Sequence, residues 1–332
     1  MAKNNYDPVG TLSIGNVVTT SITLYKSNFK RYFQVSLRAT GWLLAIVLVI
    51  LVAGLIGVGL YALTNSWLVT IPVTIGWLVG TLYCSAKYAT DRAVICRLAY
   101  QELIDAPETV AVATQQLIPR TWGFLRLTWL VSLYIFLVAI VTALGLAIAV
   151  VLLTAILMYV FKIPNENVIF IFSIGLAGVG AFLLWILLLV RYYARWFISE
   201  LPLAVEQTRS ANFSISRSNQ LSKGVVGRII LIVTIAFLMM IPINTLGNGP
   251  SFIGQMMISA STDLATQMIG GILMIGGLFL NLLSELFIMP FWQIIKAIVY
   301  YDLRNRREGV DAPKTRHHLR AYRADVDDLD VV

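Results

Sequence analysis

The chain has 332 residues, 58% of them hydrophobic and only 13% charged, with a mean hydropathy of +0.80 and a net charge of +8. Soluble domains carry about 25% charged residues, so composition excludes a water-soluble globule and points to a chain covered by lipid. The positive charge is spread over short segments flanking apolar runs, where anionic headgroups are the nearer partner, and this argues against a nucleic-acid footprint.

Met1 to Gly10 is polar and lacks the short apolar core of a cleavable signal peptide, so insertion is expected to use the first true span. Span one covers about Gly41 to Leu63 and span two about Trp67 to Ser85; only Thr64, Asn65 and Ser66 part them, which predicts a tight helical hairpin. Span three lies within Phe124 to Val160 and span four within Val168 to Val190. Span five runs from about Ile229 to Asn244, ending at Pro242, and span six lies within Leu264 to Tyr300. Roughly 20 residues cross a bilayer core, so the third and sixth segments must tilt or project beyond it.

Drawn this way, 24 of the 25 Lys and Arg residues fall on one side, and Lys162 alone falls on the other. Loops retained in the cytoplasm keep Lys and Arg, whereas translocated loops lack them. The pattern predicts a polytopic protein of the plasma or inner membrane, or an equivalent internal membrane, with both termini cytoplasmic. An odd number of spans breaks it. Cys84 and Cys96 are too few and wrongly spaced for a disulfide framework or a zinc site, and both fall on the reducing side.

Three segments on the basic side share a layout: an amphipathic stretch, a basic or Gly/Pro break, then a span. They are Thr11 to Phe33, Leu98 to Ile118 and Leu203 to Leu221, and their basic markers Lys26, Arg120 and Lys223 lie 94 and 103 residues apart. The layout predicts three repeats of helix plus hairpin in one membrane domain, residues 11–311, between polar tails 1–10 and 312–332, the latter expected to be disordered. The expected fold is therefore all-α, with six transmembrane helices and three cytoplasmic amphipathic helices. Those three either lie in the headgroup plane or pack on one another beneath the bundle; periodicity does not choose between them.

Two stretches carry a family resemblance. One is Leu201-Pro202-Leu203-Ala204-Val205-Glu206, followed by Ser216-Arg217-Ser218-Asn219-Gln220-Leu221-Ser222-Lys223-Gly224. The other is Pro290, then Tyr300-Tyr301-Asp302-Leu303-Arg304-Asn305-Arg306-Arg307-Glu308-Gly309-Val310-Asp311. Over residues 11–311 the chain resembles the membrane domain of the bacterial glycerophosphoryl diester phosphodiesterase family and its stand-alone relatives of unknown function. The resemblance implies six spans and a basic N-terminal helix. It does not imply the diesterase activity, which belongs to a soluble barrel and needs a histidine pair, several carboxylates and a divalent metal. The histidines of this chain are His317 and His318, adjacent in the polar tail.

Glu285 is the one carboxylate well inside a span, and Asn281 shares its helix face at i, i+4. A carboxylate at such depth faces the bundle interior or a water cavity. It reads either as a substrate or proton site or, the favoured alternative, as a structural anchor paired with Arg191 or Arg195. Pro290 removes a backbone donor and is expected to kink span six. Gly54, Gly57 and Gly59 recur as Gly175, Gly178 and Gly180 in nearly the same local sequence. Without a strand-turn-helix context this is no dinucleotide site; the spacing predicts close helix packing of spans one and four, or oligomerisation. Lys26, Lys30 and Arg31, with Arg304, Arg306 and Arg307, are candidate headgroup contacts, set against a plain positive-inside stop and a self-paired turn.

No catalytic, cofactor-binding or metal-binding constellation is legible. The first functional expectation is thus a non-catalytic membrane protein that organises lipids or scaffolds partners, as a homo-oligomer or with another membrane protein. The second is a transporter or channel using Glu285 and Asn281. The third is a lipid enzyme with a carboxylate-only site built from Glu200, Glu206 and Glu285.

Overall fold

The computed structural model describes residues 13–160, 168–206 and 210–308, with the backbone alone over 168–171. The polar tails, Lys3, Lys162, Arg209, the histidine pair and the last residues of the Tyr300-to-Asp311 motif lie outside the described residues. Among the described residues the chain is helical throughout, and six segments are long and apolar enough to cross a membrane.

Helix α1 (Ile14–Ser27) begins where the Ser13 hydroxyl accepts from Asn16 N at 3.1 Å, and turns Val17, Val18, Ser21 and Leu24 inward against α9 and α10. Helix α2 (Phe29–Thr64) ends at Asn65 in the left-handed conformation (φ 52°), a residue type that tolerates it. A 3-10 turn (Trp67–Thr70) leads into α3 (Ile71–Leu103), with proline in its first turn, where no helical donor is missed. The hairpin expected from spans one and two is thus present. Its second arm continues well past Ser85, as a single rod through Leu103.

Thr109 caps α4 (Val110–Leu117), which leads through a 3-10 turn at Pro119 into α5 (Thr121–Tyr159). Helix α6 (Val168–Trp196) is followed by α7 (Glu200–Val205) and by α8 (Ala211–Ser222), capped by Ser210. The expected continuous amphipathic stretches Leu98 to Ile118 and Leu203 to Leu221 are each broken. The first is the end of α3 plus α4, and the second is the end of α7 plus α8. Asp105, with positive φ, forces the first break.

The last hairpin is α9 (Val226–Ala260) and α10 (Leu264–Glu308). Span five does not end at Pro242: α9 runs through Pro242 and Pro250 to Ala260. Helix α10 packs closely against the second half of α9 at glycine contacts. A Cβ on Gly247 would meet Ser284 Oγ at 2.6 Å, and one on Gly270 would meet the Gly254 carbonyl at 2.8 Å. Helix α10 likewise continues through Pro290. The Leu286 carbonyl that Pro290 leaves without its helical donor accepts from the Ser36 hydroxyl at 2.8 Å instead.

The core lies at the basic end of the bundle. Buried residues stop at Thr40 in α2, begin at Cys84 in α3, stop at Leu127 in α5 and begin at Ala194 in α6. The most apolar windows of the α2, α5 and α6 segments contain no buried residue. Beyond the core these helices therefore turn apolar side chains such as Leu55, Leu144 and Leu183 outward, left mostly uncovered by the described residues.

Candidate functional site

Three helices converge on one carboxylate. Glu200, the first residue of α7, accepts from Arg92 Nη2 of α3 at 2.8 Å through Oε1, and from Lys296 Nζ of α10 at 3.1 Å through Oε2. With its amide nitrogen toward the carboxylate, Gln293 donates to Glu200 Oε2 at 2.9 Å and accepts from Arg92 Nε at 2.9 Å. The Lys296 and Glu200 side chains are 8% and 16% exposed. Charges this deep persist only when their lone pairs and protons are all engaged, and this cluster supplies the partners from three separate elements. On its outer side the Arg92 guanidinium lies 5.6 Å from the Tyr88 ring centroid, and the Tyr88 hydroxyl donates to Glu285 Oε1 at 3.1 Å.

A second layer holds the far end of α7, whose last carbonyls have no helical donors. Arg97 Nη1 donates to the Ala204 carbonyl at 2.9 Å while its other face makes a bidentate pair with Glu108 at 2.8 and 2.7 Å. Arg120 Nη1 donates to the Leu203 and Glu206 carbonyls, each at 2.9 Å. Glu206 in turn accepts from the Tyr300 hydroxyl at 2.5 Å and from Arg217 Nε at 3.2 Å. Arg217 also pairs with Glu308. Burial works against the Arg217 charge, but Glu206 and Glu308 outweigh it and hold the guanidinium above its ordinary pKa. The two stretches that carry the family resemblance thus meet in one ion-pair network.

Beside Arg92 a cleft of about 530 Å³ opens between α2, α3 and α5. Leu43, Ile46, Leu125, Trp129, Leu133 and Phe136 form its apolar walls, and Ser85, Tyr88, Arg92, Thr128 and Ser132 give it polar points. Arg92 is 23% exposed, enough to present one edge of a guanidinium whose other edge is fixed on Glu200. The arrangement offers an apolar channel with an anchored cation and hydroxyls. That combination suits an amphiphile with an anionic or hydrogen-bonding head.

The structure separates residues that the sequence grouped. Glu285 bonds Tyr88, whereas Arg191 and Arg195 line a different cavity with Lys223, so the expected Glu285 pairing with Arg191 or Arg195 is replaced by one with α3. Asn281 donates to Asn248 Oδ1 of α9 at 2.7 Å, so it and Glu285 serve different neighbours despite their shared spacing. Gly54, Gly57, Gly59, Gly175, Gly178 and Gly180 have open space where a Cβ would stand and do not pack spans one and four together. The tightest approaches are made by Gly247, Gly254, Gly270 and Gly277, between α9 and α10, with Gly80 of α3 also close to Val49 of α2.

Among the headgroup candidates, Arg304 bonds Glu308 at 2.8 Å and the Tyr100 hydroxyl at 2.9 Å, and Arg306 bonds Asp302 at 3.0 Å. Arg307 donates to the Lys223 carbonyl, and Arg31 stands 3.7 Å from Glu102. Arg304 and Arg306 thus pair with carboxylates of their own segment, but one turn apart along α10 rather than in a turn, and Gly309 and Asp311 of the expected turn lie outside the described residues. Lys26 and Lys30 remain exposed on α1 and at the start of α2. Glu200, Glu206 and Glu285 do not converge: each is held by its own partners.

Sequence reasoning missed Tyr88, Arg92, Arg97, Gln293 and Lys296. The signal was present. Tyr88 and Arg92 lie four residues apart, and Gln293 and Lys296 three, each pair marking one polar face of a helix. Ending span two at about Ser85 hid the first of these faces, because α3 runs on to Leu103. Comparison with protein-family models, with curated proteins and with solved structures finds no match.

Proposed function

We propose that this chain is a six-span integral membrane protein that holds and organises lipid without catalysing its chemistry, with its basic end and both termini in the cytoplasm. The observation that carries this reading is the cleft between α2, α3 and α5, an apolar channel ending at the anchored Arg92. Lipid is the occupant of matching chemistry: its acyl chain fits Leu43, Ile46, Leu133 and Phe136, and its head fits Arg92, Tyr88 and Ser85. The uncovered outer halves of the hairpins support the same reading, because lipid between them supplies the contact the protein does not. Trp122, Phe213 and Val112 are exposed on helices at the basic end, where interfacial anchors belong.

A carboxylate-only enzyme is disfavoured because Glu200, Glu206 and Glu285 are each committed to structural partners. Transport through Asn281 and Glu285 is disfavoured because the two engage different helices. Kinship with the membrane domain of the diester phosphodiesterase family remains a proposal, supported by the meeting of its two motifs. The open faces of Gly54 to Gly59 and Gly175 to Gly180 are the surfaces on which a homo-oligomer would form.

The test is native mass spectrometry of the protein released from its own membrane, wild type against Thr128→Trp and Ser132→Trp, which fill the cleft. Wild type should carry a bound lipid that both variants lose at unchanged melting temperature. A lipid-free wild type, or variants that keep the wild-type lipid complement, would remove the cleft as a lipid site.

A further inference from the structure

A second cavity, about 360 Å³, lies between the end of α6, the end of α8 and the start of α9, and shares no residue with the cleft. Its side-chain lining is Arg191, Arg195, Asn219 and Lys223, closed by Gly224, Val226 and Gly227. Three cations and an amide thus face one space, and among the described residues no salt bridge engages Arg191, Arg195 or Lys223. Arg191, Asn219 and Lys223 are exposed and Arg195 is half-buried, so solvent screens part of the repulsion between the three cations, and an anion bridging them relieves the rest.

The backbone reinforces the same sign. Helix ends that enter this region would ordinarily add negative carbonyl dipoles. Here two of those carbonyls are engaged by donors. The Arg195 carbonyl accepts from the Ser218 and Ser222 hydroxyls at 2.7 and 3.3 Å, and the Lys223 carbonyl accepts from Arg307. The chain then turns at Gly224, with φ of +84°, and starts the 35-residue α9 at Val226 without any side-chain cap. The positive end of a long helix is therefore left facing the cavity. The Arg195 guanidinium is steadied 5.5 Å from the Tyr192 ring centroid, which cuts the entropy lost on binding.

We propose that this cavity binds a phosphate-bearing anion, with Arg191, Arg195 and Lys223 as its cationic contacts and Asn219 and the start of α9 as neutral donors. Arginine forks match phosphate oxygens in pairs. The ligand is a phospholipid headgroup if the cavity meets the bilayer surface, or a soluble phosphoester if it meets the aqueous phase. The chemistry at the protein is the same.

The test uses the full chain and two probes. In the first arm, detergent-purified protein is titrated with inorganic phosphate by calorimetry. In the second, protein in phosphatidylcholine vesicles doped with phosphatidylglycerol is read by native mass spectrometry for retained anionic lipid. Each arm compares wild type with Arg191→Gln/Lys223→Gln, with Arg195→Gln, and with Arg126→Gln, an exposed charge removed elsewhere. The cavity variants should weaken binding of at least one probe roughly tenfold or more, the loss expected for one or two charge-assisted contacts. The Arg126→Gln control should bind as wild type, and all variants should keep the wild-type melting temperature. Loss in the phosphate arm alone assigns a soluble ligand, and loss in the lipid arm alone assigns a headgroup. Wild-type binding by the cavity variants in both arms, no binding of either probe, or an equal loss in Arg126→Gln would overturn the site.

Discussion

The Glu200 carboxylate and the Arg92 guanidinium meet at 2.8 Å across the junction of α7 and α3, at the inner end of the cleft. The same carboxylate also carries Lys296, so one acidic residue holds two cations from the first and last hairpins. The proposed lipid site and the stability of the bundle therefore share a residue, and variants that probe the proposal must leave Glu200 alone.

Glu200→Gln leaves Arg92 and Lys296 facing each other with no counter-charge. Removing one partner of a buried pair costs about 3–5 kcal/mol. The expected result is a large fall in melting temperature in detergent, with loss of folded protein. Lys296→Met should cost less, because Arg92 and Glu200 remain paired. Equal stability of Glu200→Gln and wild type would show that the cluster contributes nothing to the fold.

Ser36 supplies the proton that Pro290 withholds from the Leu286 carbonyl. Ser36→Ala should cost about 1–3 kcal/mol, the penalty for a buried acceptor left unsatisfied. The double variant Ser36→Ala/Pro290→Ala restores the helical donor and should recover most of that loss. Thermal denaturation of the three variants reads this directly, and no recovery in the double variant would break the link between the two residues.

Gly254 and Gly277 sit where α9 and α10 touch; a Cβ on Gly254 would meet Met274 N at 2.8 Å. Gly254→Ala and Gly277→Ala should each destabilise by about 1–3 kcal/mol through overpacking. Gly54→Ala and Gly178→Ala, with open space around them, should stay within about 0.5 kcal/mol of wild type. If these last two instead change the oligomer seen by size-exclusion chromatography with light scattering, their faces meet a second copy.

Arg97 and Glu108 form a bidentate pair while Arg97 also caps α7 through Ala204. A double-mutant cycle with Arg97→Gln and Glu108→Gln should return a coupling energy of about 0.5–3 kcal/mol. Arg97→Gln alone should be the more damaging change, since it also frees the Ala204 carbonyl. Additive effects in the cycle would mean that the pair makes no net contribution.

The number of apolar helices and the clustering of Lys and Arg at one end are legible in the chain alone. Hydropathy is a local sum, and the Lys/Arg asymmetry depends only on where each loop lies along the chain. The chain alone also locates the two motifs that meet at α7, though not that they meet. The partners emerge only from packing in three dimensions: Glu285 belongs to Tyr88, Arg191 and Arg195 belong with Lys223, and the tightest glycine contacts are those of α9 and α10. Helix spacing states which residues share a face but not which neighbour that face meets. That choice rests on contacts such as Ser36 with Leu286, 250 residues apart in the chain, which no local pattern encodes.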